Sequence, residues 1–250
     1  MIRAVIFDLD GTLVATERLK ALSYARAADE LQPTVDHEQP AMDAFAAVVG
    51  QHRREVAIHL MRTLGVEALA ARRLKEFGVK EPWQAFVQIR LRIYSEMTAD
   101  TNLLRDNRWL HNIKLVETAR SLGCRLGLAT ASSRAAARHV LQAIGLADSF
   151  DFVVTNDDVE HNKPEPEIYL LVAQELGVSP AECIVIEDSP SGVRAALAAG
   201  MRCIAVGTDF TRDRLHTEGL LGDEWIVDDP EQLPATLRQA FDEASCDIVS

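Results

Sequence analysis

AVIFDLDGTLVATE, residues 4–17, is the segment from which the architecture follows. Ala4 to Phe7 form an unbroken apolar run, which predicts a strand buried on both faces, as in a parallel sheet. The run ends in two aspartates one residue apart, Asp8 and Asp10, followed by Gly11 and Thr12. Asp-Gly turns the chain, so both carboxylates fall at the carboxyl end of a buried strand. In open α/β sheets that end is where ligands bind.

Beyond this strand the pattern is helical for about a hundred residues. TERLKALSYARAADEL, PAMDAFAAVV, RREVAIHLMRTLG, ALAARRLKEFG and PWQAFVQIRLRIYSEM each repeat apolar residues three and four apart, with Pro or Gly near several boundaries. From about residue 111 helices and strands alternate: NIKLVETARSLG, CRLGLAT, SRAAARHVLQAIG, DFVVT, PEIYLLVAQELG, CIVIED, SGVRAALAAG, RCIAVG. Such alternation predicts a doubly wound parallel sheet with helices on both faces. The expected organisation is therefore an α/β core of residues 1–15 and 109–250, carrying an inserted α-helical cap of residues 16–108.

The 250 residues hold 26 Lys plus Arg against 38 Asp plus Glu, a net charge of −12. That surface repels nucleic acid and anionic membranes. The acidity is uneven: residues 16–108 carry 14 basic and 13 acidic side chains, and the rest of the chain 12 and 25. Cys124, Cys183 and Cys203 lie in or beside apolar runs, where a thiol serves as a small hydrophobe. The chain opens directly on a strand and has no run of the roughly 20 apolar residues that a membrane span requires. These features predict a cytoplasmic protein, a monomer or small homo-oligomer, with no nucleic-acid or membrane partner.

Four polar clusters sit at or beyond strand ends. They are Asp8, Asp10, Gly11 and Thr12; Thr130, Ala131, Ser132 and Ser133; Lys163; and Glu187, Asp188 and Ser189. Each alone has an ordinary explanation as a turn, a helix cap or a solvated loop residue. Together they supply what phosphoryl transfer needs. Carboxylates from two strands can hold Mg²⁺, which prefers oxygen ligands, while a hydroxyl and an ammonium can neutralise phosphoryl oxygens.

FDLDGT, LATAS, NKPEPEIY and IEDSPSG, in this order, resemble the motifs of the haloacid dehalogenase superfamily, in its phosphatase and phosphomutase branch. The resemblance implies that Asp8 is the nucleophile and Asp10 the general acid and base. It implies Mg²⁺ on Asp8, the Asp10 carbonyl and Asp188, with Glu187 as a further or water-mediated ligand, and Thr130 and Lys163 on the phosphoryl oxygens. Gly11, Thr12, Ala131 and Ser132 complete the expected phosphate site. The helical insertion resembles the cap of the β-phosphoglucomutase and phosphoglycolate phosphatase subgroup, which selects the leaving group. There VVGQHRREV is similar to the mutase cap loop, with Gly50 and Arg53 in its Gly and Arg positions; Thr16 and Lys20 are the other cap candidates.

The chain departs from that subgroup in having Ala15 before Thr16, and Lys20 where mutases have a His. The expected activity is hydrolysis of a small phosphorylated metabolite, such as a sugar phosphate, through an aspartyl phosphate. A β-phosphoglucomutase-type mutase is the nearest alternative. A receiver-like phospho-acceptor domain also uses an acceptor Asp, a hydroxyl, a Lys and an acidic pair, but requires neither Asp10 nor a cap.

Overall fold

The computed structural model describes residues 1–49, 51 and 53–246. The chain divides into two compact units, one of residues 1–15 and 104–250, the other of residues 16–103.

The first unit is built on six parallel strands: β1 (Ala4–Phe7), β2 (Arg125–Ala129), β3 (Phe152–Val154), β4 (Cys183–Glu187), β5 (Arg202–Val206) and β6 (Ile226–Val227), in spatial order β3-β2-β1-β4-β5-β6. β1 is central and fully buried, which is why its sequence shows no polar alternation. Phe7 pairs with Leu128 on one side and with Ile186 on the other. The chain builds outward from β1 through β2 to β3, then returns to lay β4 on the opposite side of β1. This reversal of strand order opens a crevice at the strand ends.

Ala4, Ile6, Cys183, Val185, Cys203 and Ala205 share one face of the sheet and pack with residues of α10 (Glu167–Glu175) and α11 (Pro190–Ala198). α8 (Leu110–Ser121) and α13 (Leu233–Cys246) pack on each other, and α9 (Arg134–Ile144) and α12 (Arg212–Thr217) complete the unit. Cys124, Cys183 and Cys203 are buried free thiols.

The second unit contains α1 (Thr16–Leu31), α2 (Glu38–Ala46), α3 (Arg53–Thr63), α4 (Glu67–Ala71), α5 (Leu74–Phe77) and α6 (Pro82–Ala99), and no strand among its described residues. α7 (Thr101–Asp106) spans the division. α1 is rich in Ala and Leu, strong helix formers, and packs against α2 and α6. Tyr24 anchors that contact, with ring centroids 5.5 Å from Phe86 and 6.3 Å from Phe45. α6 starts with Pro82 in its first turn behind a reciprocal capping box of Glu81 and Gln84.

ALAARRLKEFG, expected as one helix, is two: the chain turns at Arg72–Arg73, where the Arg73 side chain is drawn to both Glu30 and Glu76. No described helix is long and apolar enough to cross a membrane.

Candidate active site

The site grows from the carboxyl end of β1. Asp8 N–H donates to Ile186 O at 3.0 Å, carrying the pairing with β4 one residue beyond the strand. The chain then turns through Gly11, whose φ of +96° lies in the left-handed region that a side chain would resist. The turn is closed by Gly11 N–H to Val14 O at 2.8 Å and Leu13 N–H to Leu9 O at 2.9 Å. One residue apart on this bend, Asp8 and Asp10 meet different partners.

Lys163 reaches in from the loop before α10, with a side chain only 7% exposed. Its Nζ donates to Asp8 Oδ1 at 2.6 Å, Glu187 Oε1 at 2.7 Å and Ala129 O at 3.0 Å, so all three ammonium donors are used. Burial alone would discharge this lysine, but the Asp8 and Glu187 carboxylates outweigh it and hold its pKa above the ordinary 10.5. Burial raises Asp8 well above the usual carboxylate value; Lys163 pulls the other way, and Glu187 and Asp10 add to the rise.

Asp10 faces hydroxyls instead. Its Oδ2 accepts from Ser132 Oγ at 2.6 Å and Thr130 Oγ1 at 3.2 Å. Thr130 is itself fixed, with its N–H on Val154 O at 3.0 Å and its Oγ1 accepting from Ser132 N–H at 3.0 Å. Ala131, between them, is exposed. Asp188 Oδ1 accepts from the buried Thr12 Oγ1 at 3.2 Å.

Asp8, Asp10, Gly11, Thr12, Thr130, Ala131, Ser132, Lys163, Glu187 and Asp188 are thus gathered at one edge of the sheet. Thr16, Lys20 and Arg53 belong to the helical unit. There Thr16 is buried, with Oγ1 3.4 Å from Glu17 Oε2; Lys20 Nζ is 3.3 Å from Glu17 Oε1; and Arg53 is exposed at the start of α3. Gly50 lies outside the described residues.

The donor set suits a hard divalent cation. Asp8, Glu187 and Asp188 offer carboxylate oxygens within 4.8 Å of one another, all buried. Lys163 contacts two of the site's carboxylates, Asp8 and Glu187, while Asp10 and Asp188 stand close by on hydroxyls; four carboxyl groups in one site are costly to bury ionised without further positive charge. Oxygen donors in this number fit Mg²⁺.

Glu187 is surrounded by donors. Its Oε1 accepts from Lys163 and, at 2.8 Å, from Tyr169 OH. Its Oε2 accepts from the N–H groups of Asp188 at 2.9 Å and Ser189 at 3.1 Å, and from Ser189 Oγ at 3.1 Å. That occupies the roughly four lone-pair directions of a carboxylate. Burial raises Glu187, yet Lys163 and the other hydrogen bonds hold its pKa below the usual value.

Sequence reasoning missed two residues here. Tyr169 reads as helix core, but its ring lies 5.0 Å from Lys163 Nζ, and burial next to Glu187 and Asp8 keeps its hydroxyl a phenol. Gly192 reads as a helix-start glycine, but a Cβ there would sit 1.7 Å from Glu187 Oε1. Tyr169 and Gly192 stand inside motifs already singled out, NKPEPEIY and SPSG, so position in the motif was the available signal.

Residues 2–200 match the model of the haloacid dehalogenase-like hydrolases. The chain belongs to that family. The phosphorylated carbohydrates phosphatase of Thermotoga maritima is 33% identical over 202 residues, covering 80% of this chain and 83% of that protein. The Bacillus subtilis protein YhcW is 48% identical over a shorter span of 96 residues, 38% of this chain and 44% of its own length. The crystal structure of β-phosphoglucomutase from Clostridium difficile superposes with a TM-score of 0.69 at 24% identity, with 100% of each chain covered; it shares the α/β fold. This chain is a haloacid dehalogenase-like enzyme.

Proposed function

We propose that the enzyme is a Mg²⁺-dependent phosphatase of a small phosphorylated carbohydrate, working through an aspartyl phosphate on Asp8. The observation that carries this reading is the contrast between two carboxylates one residue apart. Asp8 Oδ1 is bound by an ammonium at 2.6 Å, and Asp10 Oδ2 is held by two hydroxyls. In the first the ammonium favours the ionised nucleophile against the burial that raises its pKa, and the second positions a group that moves protons. The carbohydrate phosphatase activity of the Thermotoga maritima relative supports the substrate class.

With Oδ1 held by Lys163, Asp8 Oδ2 forms a bond to phosphorus while the bond from phosphorus to the sugar oxygen breaks. Asp10 gives its proton to the departing sugar oxygen. Asp10 then takes a proton from water, whose oxygen attacks phosphorus and breaks the bond to Asp8, releasing inorganic phosphate and restoring both carboxyl groups. Thr130 and Lys163 stand beside the transferred group, where a hydroxyl and an ammonium stabilise its oxygens. When held by Asp8, Asp188 and the Asp10 carbonyl, Mg²⁺ supplies charge neutralisation for the incoming phosphate dianion. Glu187, already surrounded by donors, anchors Lys163.

A mutase must keep its general acid from activating water until a sugar hydroxyl arrives. Lys20, paired with Glu17, cannot exchange a proton as an imidazole does, which favours hydrolysis. The test is a panel of sugar phosphates with and without Mg²⁺, followed by ³¹P NMR for parent and Asp8→Asn. Metal-dependent release of inorganic phosphate, lost in the variant, is expected. Turnover by Asp8→Asn at the parent rate, or isomer formation running ahead of phosphate release, overturns the reading.

A further inference from the structure

We propose that Asn112 is a positioning residue of this active site: from α8 it holds the Asp10–Thr12 turn, and through Thr12 it sets Asp188. Its importance to catalysis rests on the role given above to Asp188; its hold on the turn does not.

The buried face of α8 is the stripe Asn112, Leu115, Val116 and Ala119, spaced three and four apart. Three members are apolar, as a helix packed in a core requires. The first is an amide, 1% exposed. Its Nδ2 donates to Thr12 O at 2.5 Å, a bond between residues 100 apart in the chain. The partner is a carbonyl, an acceptor only, so the amide must present its nitrogen. Its other end gains nothing, for Oδ1 is buried with no hydrogen-bond partner among the described residues.

A half-satisfied buried amide is a poor choice for stability. It forfeits the apolar packing of a leucine and leaves one acceptor desolvated. What it gains is a fixed Thr12 carbonyl. That matters because Thr12 is fully buried and its Oγ1 donates to Asp188 Oδ1 at 3.2 Å. The bond therefore acts on a short chain of contacts, from α8 to the Thr12 backbone, from the Thr12 hydroxyl to Asp188. Just upstream, Trp109 N–H donates to Leu13 O at 2.9 Å, which leaves the Thr12 peptide carbonyl to Asn112.

A purely structural Asn112 and a positioning one differ in what Asn112→Leu does. Leucine is close in size and completes the apolar stripe, which offsets the Thr12 carbonyl left without its donor, so the variant should melt close to the parent. Positioning predicts that amide hydrogen exchange accelerates in the peptide covering residues 8–15 and not in α10 or α13. It also predicts that Mn²⁺ binding by calorimetry weakens about 10-fold, the order seen when an outer partner of a metal ligand is lost. The catalytic effect should fall on kcat with KM little changed. Asn112→Ala, which cannot overpack, carries the same measurements if leucine fails to fit, and Asn112→Gln, which keeps the donor, should recover part of the loss.

Unchanged exchange at residues 8–15 together with unchanged Mn²⁺ affinity overturns the proposal. So does a uniform acceleration across the chain with a lower melting temperature, which marks a structural role. A parent protein that binds no Mn²⁺ and releases no phosphate refutes the phosphatase reading, while the exchange measurement still decides on Asn112.

Discussion

Replacing Lys163 with Met removes the one ammonium that serves both Asp8 and Glu187. The side chains are similar in length, so the change is in charge more than in volume. Lys163 and Asp8 side chains are 7% exposed and Glu187 1%, with contacts of 2.6 and 2.7 Å. Removing one partner of a buried pair costs about 3–5 kcal/mol. Two carboxylates share this partner, which places the loss near the upper end, about 5 kcal/mol. For a chain of this size that is roughly 10–20 °C in melting temperature, read by differential scanning calorimetry in EDTA near neutral pH. A divalent cation at 100 times its Kd adds about 2.7 kcal/mol to whichever protein binds it, so Mg²⁺ narrows the deficit only to the extent that the variant, with its uncompensated carboxylates, binds it more tightly than the parent.

The pH dependence of this deficit follows from the shifts. In the parent, Lys163 keeps a pKa above its ordinary 10.5, so its contribution is complete below that value and lost only at more alkaline pH. Glu187, held low, contributes stability above its ordinary 4.5 that is lost as pH falls. In the variant Glu187 loses that contribution. Asp8, already raised by burial, rises further, so its contribution is complete below about 3.8 and shrinks as pH increases. Both changes make the gap between parent and variant narrow on acidification. A variant melting within about 2 °C of the parent in EDTA would refute the argument that Lys163 compensates buried charge, and a gap that widens toward acid would refute the assigned directions.

Asp10→Asn should slow release of a sugar alcohol by about 10²–10⁴ and release of a nitrophenolate much less, because the latter leaves without a proton; equal losses would make Asp10 a binding residue only. Gly192→Ala drives a methyl to 1.7 Å from Glu187 Oε1, and calorimetry should show a loss of about 3 kcal/mol; a neutral effect would mean that Glu187 is free to move. Mg²⁺ affinity, by calorimetric titration, should fall from neutral to mildly acid pH, since burial raises the pKa of Asp8 and the metal must displace that proton; a flat profile would count against Asp8 as a ligand. Arg53→Ala should lower kcat/KM for the sugar phosphate and leave a small aryl phosphate unchanged; a parallel loss would assign Arg53 to the general phosphate site.

The parts of this molecule legible in its sequence are those where one residue type meets one local requirement. Ala4–Phe7 could only be a doubly covered strand, and the polar clusters after β1, β2 and β4 follow directly from strand ends. The helices of residues 16–99 announce themselves by period. The break at Arg72–Arg73 does not, because Ala, Arg, Leu and Lys favour a continuous helix, and the Arg73–Glu30 ion pair found at the turn joins residues some forty apart. β6 is only two residues long, too short for any pattern to register. The bond from Asn112 to Thr12 joins residues 100 apart, and nothing local at either end signals it.

Adjacent acids acquire different tasks from the pleat of the sheet. Side chains alternate along a strand, so Cys183 and Val185 share the face packed by α10, and Glu187 continues it. Glu187 therefore meets Tyr169 from α10 and Gly192 from α11, elements that come to that face. Asp188, one residue on, turns to Thr12 instead. The same parity holds in β1, where Ala4 and Ile6 share the α10 face and Asp8 follows them. Asp8 and Glu187, on neighbouring strands in matched register, are thus brought to the loop that precedes α10, and a single lysine there reaches both. Shifting either strand by one residue would turn its acid away from Lys163. The register that pairs Phe7 with Ile186 thereby also places the two carboxylates on one ammonium.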